Sequence, residues 1–267
     1  MIAGMDLGLR GKRAFVSGGT AGIGLGIARG LAGEGAAVGV CGRDPDRLAS
    51  AVRQLRDSGG TGAHGVAADV TDPAALGGAV EEVASALGGL DLVVANAGGS
   101  VGGDLTDSTA EDWAQTFALN VLHAANLIRA AVPYLADGGG AALIIASITG
   151  WKAGPKSSYG AAKAAEIHLA AALGAELGPR GIRVNALSPG SVLFEGGGWH
   201  ELGERDPDRL AAFAREDFPA GRLVSLPEVV DVACFLLSDR AGGVNGADVH
   251  VDGGQDHPSV RRFFPLA

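Results

Sequence analysis

A tyrosine and a lysine four positions apart, Tyr159 and Lys163, have the side-chain types and the spacing for proton transfer. Residues at that spacing lie on one face of a helix, which would place the ammonium group beside the phenol. A phenol has an ordinary pKa of about 10, and a neighbouring positive charge lowers that pKa because it stabilises the phenolate. We therefore expect Tyr159 to donate a proton to a carbonyl oxygen or to remove one from an alcohol.

Ser147 lies twelve residues before Tyr159, directly after a predicted buried strand. We expect its hydroxyl at the carboxyl edge of a sheet, where it would bond a substrate oxygen and stabilise developing charge. Thr149 and Ser157 are alternative hydroxyls in the same loop. A serine hydrolase is a rival interpretation, but the residues around Ser147 lack the Gly-x-Ser-x-Gly pattern of a nucleophile elbow.

A glycine-rich segment, Ser17–Gly24, follows the first predicted strand and opens the first predicted helix. Glycine allows a tight turn and a close approach of the backbone to a ligand, and a helix N-terminus attracts a pyrophosphate. Ligands of open parallel sheets bind at the carboxyl ends of the strands, where the strand order reverses. The segment therefore predicts a dinucleotide site, and a simple strand-to-helix turn is the alternative interpretation.

Short apolar runs alternate with segments of helical period along the whole chain. The predicted strands are Arg13–Ser17, Ala37–Cys41, Gly62–Ala67, Leu90–Ala95, Ala141–Ala146, Ile182–Leu187 and Asp248–Val251. The predicted helices are a stretch ending at Glu34 and the segments Pro45–Asp57, Asp72–Leu87, Glu111–Leu135, Ser157–Leu177 and Glu228–Ser238. We expect a single α/β domain over residues 1–267, with a doubly wound parallel sheet of about seven strands and helices on both faces.

The composition narrows the class of protein. In 267 residues, 47% are hydrophobic, 45 are glycine without a three-residue period, and the formal net charge is −9. These values argue against a disordered chain, a collagen and a nucleic-acid binder. No uncharged stretch is long and apolar enough for a membrane span, and no His, Cys and carboxylate cluster has the spacing of a metal site. We expect Cys41 and Cys234 to be buried free thiols and the protein to be cytoplasmic.

Further motifs follow in order along the chain. They are Asp69-Val70, Asn96-Ala97-Gly98, Asn120, Ser188-Pro189-Gly190 and Val251-Asp252-Gly253-Gly254. With the Gly-x-x-x-Gly-x-Gly turn, Ser147 and Tyr159-x-x-x-Lys163, the sequence resembles the short-chain dehydrogenase/reductase family, in its compact single-domain branch, over about residues 8–254. The resemblance implies a Rossmann-type fold and an oxidoreductase that transfers a hydride between nicotinamide and a carbonyl or secondary alcohol.

The resemblance also implies roles for individual residues. Tyr159 would be the general acid/base, Ser147 would bind the substrate oxygen, Lys163 would hold the nicotinamide ribose, and Asn120 would hold a water that relays protons from Lys163. Asp69 would accept a hydrogen bond from adenine, with turn capping as its alternative role. The expected cofactor contacts are Ser17, Gly18, Thr20, Gly22, Ile23, Gly24, Arg43, Asp69, Val70, Asn96, Ala97, Gly98, Tyr159, Lys163, Pro189, Gly190 and Val192.

NADP(H) is favoured over NAD(H). By alignment to the family, the position after the second strand that usually holds the ribose 2′-hydroxyl of NAD is Gly42, which has no side chain to bind it. Arg43 follows, and a guanidinium suits a 2′-phosphate, although a solvated loop arginine is the alternative. Asp44 is expected to start the next turn instead, and the family's other basic position is Ala21.

The least regular stretch, residues 190–227, is expected to form a substrate lid. Phe194 stands where many family members have the threonine that binds the nicotinamide amide, so backbone groups near Val192 or another side chain would take that role. An apolar pocket for a hydrophobic ketone or a β-ketoacyl substrate is expected, and packing of the lid is the alternative role for its aromatic residues. The predicted pocket residues are Ser100, Trp151, Phe194 and Trp199.

Three rival functions remain at this point. They are a 3-oxoacyl-thioester reductase, an NAD-dependent polyol or sugar dehydrogenase, and a non-catalytic dinucleotide-sensing protein. The presence of Ser147, Asn120, Tyr159 and Lys163 argues against the sensing protein. The resemblance further implies a homotetramer built through Glu111–Leu135 and Ser157–Leu177, with the tail Arg261–Ala267 either docked on a neighbouring subunit or frayed.

Overall fold

The strands of the fold carry the apolar runs of the sequence. The computed structural model describes residues 6–135, 138–154 and 156–255. Its strands are β1 Arg13–Ser17, β2 Ala37–Gly42, β3 Gly62–Ala67, β4 Leu92–Ala95, β5 Gly140–Ile145, β6 Ile182–Pro189, β7 Val192–Leu193, β8 Val224–Ser225 and β9 Asp248–Val251. Its α-helices are α1 Gly22–Gly33, α2 Pro45–Asp57, α3 Pro73–Leu87, α4 Ala110–Phe117, α5 His123–Leu135, α6 Ser157–Leu177, α7 Gly198–Arg205, α8 Pro207–Asp217 and α9 Leu226–Leu237.

Seven of these strands form one parallel sheet in the order β3-β2-β1-β4-β5-β6-β9. The first strand, β1, pairs with β2 and with β4, so that Val16 is level with Val40 on one side and with Val94 on the other. From β1 the chain forms β2 and then β3 on one side of the sheet. It then crosses to the other side of β1, where β4, β5, β6 and β9 follow. This is the predicted doubly wound topology, and its strand order reverses between β1 and β4, where a ligand crevice is expected.

Helices cover both faces of the sheet because its central strands are apolar on both sides. On one face, α1, α2 and α9 bury residues such as Ile27 and Val229 against the strands. On the other face, α3, α5 and α6 bury residues such as Val80 and Leu127. The prediction of a single α/β domain is confirmed.

Aspartates begin two of the helices. The Asp44 carboxylate accepts hydrogen bonds from the N–H groups of Asp46 and Arg47, at 2.9 and 3.0 Å, at the start of α2. Asp72 caps α3 in the same way, starting with the N–H of Ala74 at 2.8 Å. Such a carboxylate satisfies N–H groups that have no partner within the helix. The predicted helix start at Asp72 is confirmed, and Asp44, which was expected to start a turn, caps α2.

Two segments differ from the expected elements. The helix predicted over Glu111–Leu135 is interrupted by a π-helical turn, Ala118–Leu122, between α4 and α5. The stretch 190–227, expected to be irregular, contains α7, α8 and the short strand pair β7-β8. Asp206 caps α8, because its side chain accepts a hydrogen bond from the Arg209 N–H. An aspartate before a proline is a local capping signal that can be read from the sequence. Among the described residues, no helix combines the length and the apolar character needed to cross a bilayer.

Both cysteines are buried free thiols, as predicted. Burial raises the pKa of Cys41 to about 11 and that of Cys234 to about 12. The thiolate is the reactive form of cysteine, and a raised pKa keeps both side chains protonated near neutral pH, so these thiols are unreactive in the folded protein. The tail Arg261–Ala267 lies outside the described residues.

Candidate active site

The glycine-rich segment turns sharply between β1 and α1. Gly22, the first residue of α1, has a φ of +55°, a left-handed conformation that glycine adopts without strain. A Cβ added at Gly24 would overlap the carbonyl oxygen of Gly18 and the side-chain amide of Asn96. The turn can therefore close against the end of β4 only with glycine at this position, and α1 begins at the crevice between β1 and β4.

The Asn96 side chain joins the end of β4 to this turn through hydrogen bonds. Its Nδ2 donates hydrogen bonds to the carbonyl oxygens of Gly18, at 3.1 Å, and Ser17, at 3.3 Å. Ser17 is fully buried, and its hydroxyl donates to the Val94 carbonyl at 3.1 Å and lies 2.8 Å from Nε2 of His123. Of the predicted cofactor contacts, Ser17 thus supports the turn from the interior of the protein.

A cleft of about 1050 Å³ opens at the carboxyl ends of the strands on both sides of this reversal point. Pockets for cofactors and small molecules occupy roughly 300 to 1,000 Å³, so the cleft has room for a dinucleotide. Predicted cofactor residues that line it are Gly18, Thr20, Arg43, Asp69, Val70, Asn96, Ala97 and Gly98. Lining residues outside the predicted set include Arg47, Thr71, Gln115, Ala118 and Leu119.

Arg43 and Arg47 line one end of the cleft, which we name the arginine end, together with the carboxylates of Asp44 and Asp69. The Arg47 Nε lies 3.7 Å from an oxygen of Asp44. A Cβ at Gly42 would lie 2.7 Å from Cγ2 of Thr20, so an acidic side chain at Gly42 has no room unless Thr20 moves. Hydrogen bonds from Thr71, with a smaller contribution from the charge of Arg43, hold the pKa of Asp69 below its usual range. The Asp69 carboxylate accepts from the Thr71 N–H at 2.9 Å, so the turn-capping role is present and the adenine contact stays a prediction.

Tyr159 and Lys163 lie close together on α6, as their spacing predicts. The Lys163 Nζ lies 5.5 Å from the centroid of the Tyr159 ring. The same Nζ donates a hydrogen bond of 2.9 Å to the carbonyl oxygen of Ile145, the last residue of β5, and the lysine is only 2% exposed. The end of β5 therefore fixes the ammonium group near the phenol, at the edge of the sheet where the cleft opens.

A buried carboxylate accompanies this lysine. Glu166 lies one turn further along α6, and its Oε2 is 2.8 Å from the Lys163 Nζ. Burial raises the pKa of Glu166, and the positive charge of Lys163 opposes that rise. The spacing of the two residues was visible in the sequence, but only the packing of α6 shows that the pair is shielded from water.

Asn120 lies fully buried in the π-helical turn between α4 and α5. Its Nδ2 donates to the carbonyl oxygens of Gly99 and Thr116, each at 2.7 Å, and its Oδ1 accepts from the Gly99 N–H at 3.2 Å. A Cβ added at Gly98 would lie 2.7 Å from this Oδ1 and 3.1 Å from the Lys163 Nζ. The π turn, a device often found at functional sites, therefore brings Asn120 and Lys163 to the same loop after β4.

His123, the first residue of α5, is buried next to these groups. Burial, with a smaller contribution from the charge of Lys163, lowers the pKa of His123 to about 4. The imidazole is therefore neutral at pH 7, and its Nε2 pairs with the Ser17 hydroxyl. It joins the glycine-rich turn to α5, a link that no spacing in the sequence indicated.

Ser147 follows β5 and precedes a 3-10 turn, Ile148–Gly150. Its Oγ accepts hydrogen bonds from the N–H of Thr149, at 3.2 Å, and from the Thr149 hydroxyl, at 3.0 Å. The alternative hydroxyl of Thr149 therefore orients the predicted one.

The aromatic residues of the 190–227 insertion pack mainly on one another. Trp199 on α7 stacks on Phe213 of α8, with ring centroids 4.3 Å apart, and Phe213 meets the buried Phe218 edge-on at 5.8 Å. Phe194 lies against the glycine-rich turn, since a Cβ added at Gly22 would be 3.4 Å from its ring. Trp199 thus has the packing role that was the alternative, whereas Phe194 covers the turn.

The other two predicted pocket residues lie on loops after β4 and β5. Trp151, after the 3-10 turn, is 42% exposed and stacks on His250 of β9, with centroids 4.6 Å apart. Ser100, after β4, accepts a hydrogen bond of 3.0 Å from the Nζ of Lys156, just before α6. Both residues therefore border the same carboxyl edge of the sheet as Ser147.

Gln255 connects the insertion to the loop that follows Ser147. Its side chain accepts a hydrogen bond from the Ser191 N–H at 2.8 Å and donates one to the Ser191 hydroxyl at 3.1 Å. Its backbone carbonyl accepts a hydrogen bond from the Lys152 Nζ. Gly190 packs closely on Asp252, where an added Cβ would lie 2.8 Å from the Asp252 Cα. We name this set of contacts the Gln255 clasp, which joins segments that lie far apart in the sequence.

The chain is similar to known proteins over nearly its whole length. A family model described as enoyl-(acyl carrier protein) reductase matches residues 18–256. Isoepoxydon dehydrogenase of Penicillium expansum is 34% identical over 255 residues, which cover 94% of this chain and 96% of the relative.

Two solved structures share the fold over nearly their whole length. L-sorbose reductase from Gluconobacter frateurii, complexed with NADPH and L-sorbose, is 35% identical with a TM-score of 0.88, covering 94% of this chain and 98% of that one. A 7α-hydroxysteroid dehydrogenase complexed with NADH and 7-oxo glycochenodeoxycholic acid is 30% identical with a TM-score of 0.87, covering 96% and 98%. The chain therefore belongs to the short-chain dehydrogenase/reductase family, and it is an oxidoreductase of alcohol and carbonyl substrates that uses a nicotinamide dinucleotide.

Proposed function

We propose that this protein interconverts a ketone and a secondary alcohol with NADP(H), and that Tyr159 is its general acid/base. The proposal rests on one observation, the fixed position of the Lys163 ammonium group. A carbonyl oxygen of β5 holds it 5.5 Å from the centre of the Tyr159 ring, at the edge of the sheet where the cleft opens. A fixed positive charge favours the phenolate and so makes the phenol a better proton donor and acceptor near neutral pH.

The residues of the cleft fit a phosphorylated nicotinamide dinucleotide. The glycine-rich turn and the start of α1 would hold the pyrophosphate, and Asp69 with Val70 would hold the adenine. Arg43 and Arg47 offer guanidinium groups, which pair with a phosphate through two parallel hydrogen bonds. When bound, the dinucleotide supplies or accepts the hydride.

The side chains of the protein supply the proton and the stabilisation of charge. The Ser147 oxygen accepts two hydrogen bonds from Thr149, so its own proton can be donated to the substrate oxygen. Tyr159 gives a proton to that oxygen during reduction and takes it back during oxidation. Lys163 stabilises the phenolate form, and Asn120 holds the loop that touches Lys163.

The chain offers a matched pair of variants for this proposal, because it has only two tyrosines, Tyr159 and Tyr134. NADPH oxidation is measured against a panel of ketones. We expect Tyr159→Phe to lower turnover by a factor of about 10² to 10⁴ without weakening NADPH binding, and Tyr134→Phe to leave turnover unchanged. Equal turnover in wild type and Tyr159→Phe would contradict the assignment. Tight NADPH binding without turnover of any carbonyl by the wild type would support a sensing protein instead.

The proposed preference for NADP(H) is tested at Arg43, in the arginine end of the cleft. Arg43→Ala removes a charged hydrogen bond of about 1.5–3 kcal/mol, so we expect Kd for NADPH to rise by a factor of roughly ten to a hundred. Kd for NADH should stay the same, because NADH has no 2′-phosphate. The control is Arg56→Ala, which removes an exposed arginine in the last turn of α2, the helix that follows Arg43. Equal losses for both dinucleotides would contradict the preference.

We also propose that residues 190–227 cover the substrate. Phe194 lies over the glycine-rich turn, and the Gln255 clasp holds the start of the segment. Phe194→Ala is expected to raise KM for a ketone several-fold, whereas Phe235→Ala, on the exposed side of α9, is expected to leave KM unchanged. An unchanged KM in Phe194→Ala would contradict the role of this segment.

We propose a homotetramer that forms through α4, α5 and α6. Leu122, in the π turn beside α5, is 56% exposed. Exposed alanines along α6, such as Ala161, Ala164 and Ala172, would let a second helix approach closely. Light scattering is expected to give four times the chain mass for the wild type and a smaller mass for Leu122→Glu. A monomer mass for the wild type would contradict the proposal.

A further inference from the structure

The proton transfer proposed above makes no use of Glu166, yet this carboxylate is sealed inside the protein. Its side chain is 2% exposed and that of Lys163 is 3% exposed, with 2.8 Å between Oε2 and Nζ. Removing two charges from water costs several kcal/mol for each ion, and the attraction between them offsets this cost only in part. An apolar residue at position 166 would pack α6 without that cost, so stability alone gives no reason for the pair.

The Lys163 ammonium group is held from two directions. Ile145 accepts its hydrogen bond at 2.9 Å from the end of β5, and Glu166 contacts it from α6. On the side of the loop after β4, Gly98 leaves just enough room, since an added Cβ there would lie 3.1 Å from Nζ. Glu166 therefore restricts where the ammonium group can be, and in its ionised form it offsets the positive charge at that point.

We propose that Glu166 is a positioning residue, which holds the Lys163 ammonium group in place and offsets its charge, and so sets the pH range in which Tyr159 exchanges its proton. This inference rests on the function proposed for Tyr159 and Lys163. It assigns to Glu166 no contact with the substrate or the dinucleotide.

The size of the effect follows from the helix geometry. Tyr159 and Glu166 are seven residues apart on α6, which corresponds to roughly 10 Å along the axis. With an effective dielectric constant of about 20, one elementary charge at that distance shifts a proton equilibrium by about one pH unit. Removal of the Glu166 charge leaves the ammonium uncompensated, which favours the phenolate and moves the equilibrium to lower pH.

Other titratable groups near α6 do not take over this role in the described part of the chain. His123, on α5, feels the charge of Lys163, but its pKa of about 4 keeps it neutral over the working range. On β9, Asp248 is paired with His250 at 3.0 Å and with the Ser188 hydroxyl at 2.7 Å. The Lys152 ammonium is bound by the backbone carbonyl in the Gln255 clasp.

The test follows the ultraviolet absorbance of tyrosinate during a pH titration, which requires no turnover. Subtraction of the Tyr159→Phe titration leaves the signal of Tyr159, since Tyr134 is the only other tyrosine. Glu166→Gln is expected to lower the Tyr159 midpoint by about one pH unit. The acid limb of the pH profile of kcat for alcohol oxidation should move by the same amount. Glu176→Gln, which removes an exposed carboxylate from the same helix, should move neither.

A second variant separates position from charge. Glu166→Asp keeps the carboxylate but shortens the side chain by one methylene, which moves the charge away from the Lys163 ammonium group. The midpoint of the Tyr159 titration should therefore stay within about 0.3 pH units of the wild-type value. Turnover should fall roughly tenfold with little change in KM, because the ammonium group is less well placed. This variant also serves as the test if Glu166→Gln does not fold. Wild-type turnover in Glu166→Asp, or an unmoved or raised midpoint in Glu166→Gln, would overturn the proposal.

Failure of the inference about Glu166 can be distinguished from failure of the function proposed for Tyr159. If Tyr159→Phe retains wild-type turnover, the acid/base assignment is wrong, and the role of Glu166 is overturned with it. If Tyr159→Phe is inactive and Glu166→Gln keeps the wild-type midpoint, only the inference about Glu166 is wrong.

Discussion

Substitution of Gly24 by alanine tests the link between the glycine-rich turn and dinucleotide binding. The added methyl group would overlap the Gly18 carbonyl oxygen, which belongs to the backbone, and the Asn96 amide. A flexible side chain could move aside at little cost, but a backbone oxygen moves only if the whole turn moves. The variant must therefore displace the turn and pull Asn96 from its two carbonyl partners.

The expected loss can be worked out from these contacts. The hydrogen bonds from Asn96 to Gly18 and Ser17, at 3.1 and 3.3 Å, contribute about 1 kcal/mol each. Overpacking adds about 1–3 kcal/mol, so Gly24→Ala should lower the free energy of unfolding by about 3–5 kcal/mol. For a chain of this size, that corresponds to a fall in Tm of roughly 10 °C. The displaced turn should also weaken NADPH binding by at least about tenfold.

Gly78→Ala is the matched control for this change. Gly78 lies inside α3, and a Cβ there meets nothing within 4 Å, so alanine should raise the free energy of unfolding by about 0.5–1 kcal/mol. Thermal unfolding followed by circular dichroism, with fluorescence titration of NADPH, measures both effects. A Gly24→Ala variant with the Tm and the NADPH Kd of the wild type would refute the reasoning.

Three further predictions follow from burial. Because the folded state lowers the pKa of His123 from 6.5 to about 4, the unfolded chain binds a proton first, and stability falls as the pH drops from about 6.5 to 4. The full effect is about 3 kcal/mol, measured by urea unfolding at several pH values, and His123→Gln should remove most of it. Cys41 and Cys234 should resist a thiol reagent at pH 8 in the native protein, and both should react with it after denaturation. Rapid labelling of the native protein would contradict their burial. Trp199→Ala should lower the free energy of unfolding by about 1–3 kcal/mol, because the half-buried Trp199 loses its stacking on Phe213. Urea unfolding measures this change, and an unchanged midpoint would contradict that packing.

Elements with a strong local signal could be predicted from the sequence. The apolar runs identify the sheet, because a strand buried on both faces has no polar alternation. The position of the glycine-rich segment and the Tyr159-x-x-x-Lys163 spacing identify the two ends of the candidate site, since both depend on neighbours along one chain segment. Caps such as Asp72 are equally local, because the side chain bonds its own helix.

Features that depend on convergence of distant segments could not be predicted. Ala118 and Leu119 line the cleft from the π turn that interrupts the predicted long helix, and one unusual turn leaves little trace in hydrophobic periodicity. Glu166 has an ordinary spacing from Lys163, and its significance comes from its burial. Trp199 was placed in a pocket by its residue type, whereas its partner Phe213 is set by how α7 and α8 pack.

The Gln255 clasp has a practical consequence for work on this enzyme. The last described residue of the chain joins Ser191, at the start of the insertion, to Lys152, in the loop that follows Ser147. Gln255→Ala removes the two side-chain hydrogen bonds to Ser191 and keeps the backbone carbonyl that binds Lys152, so this variant separates the two halves of the clasp. A kinetic comparison of this variant with the wild type would measure how much the contact with Ser191 contributes to substrate binding.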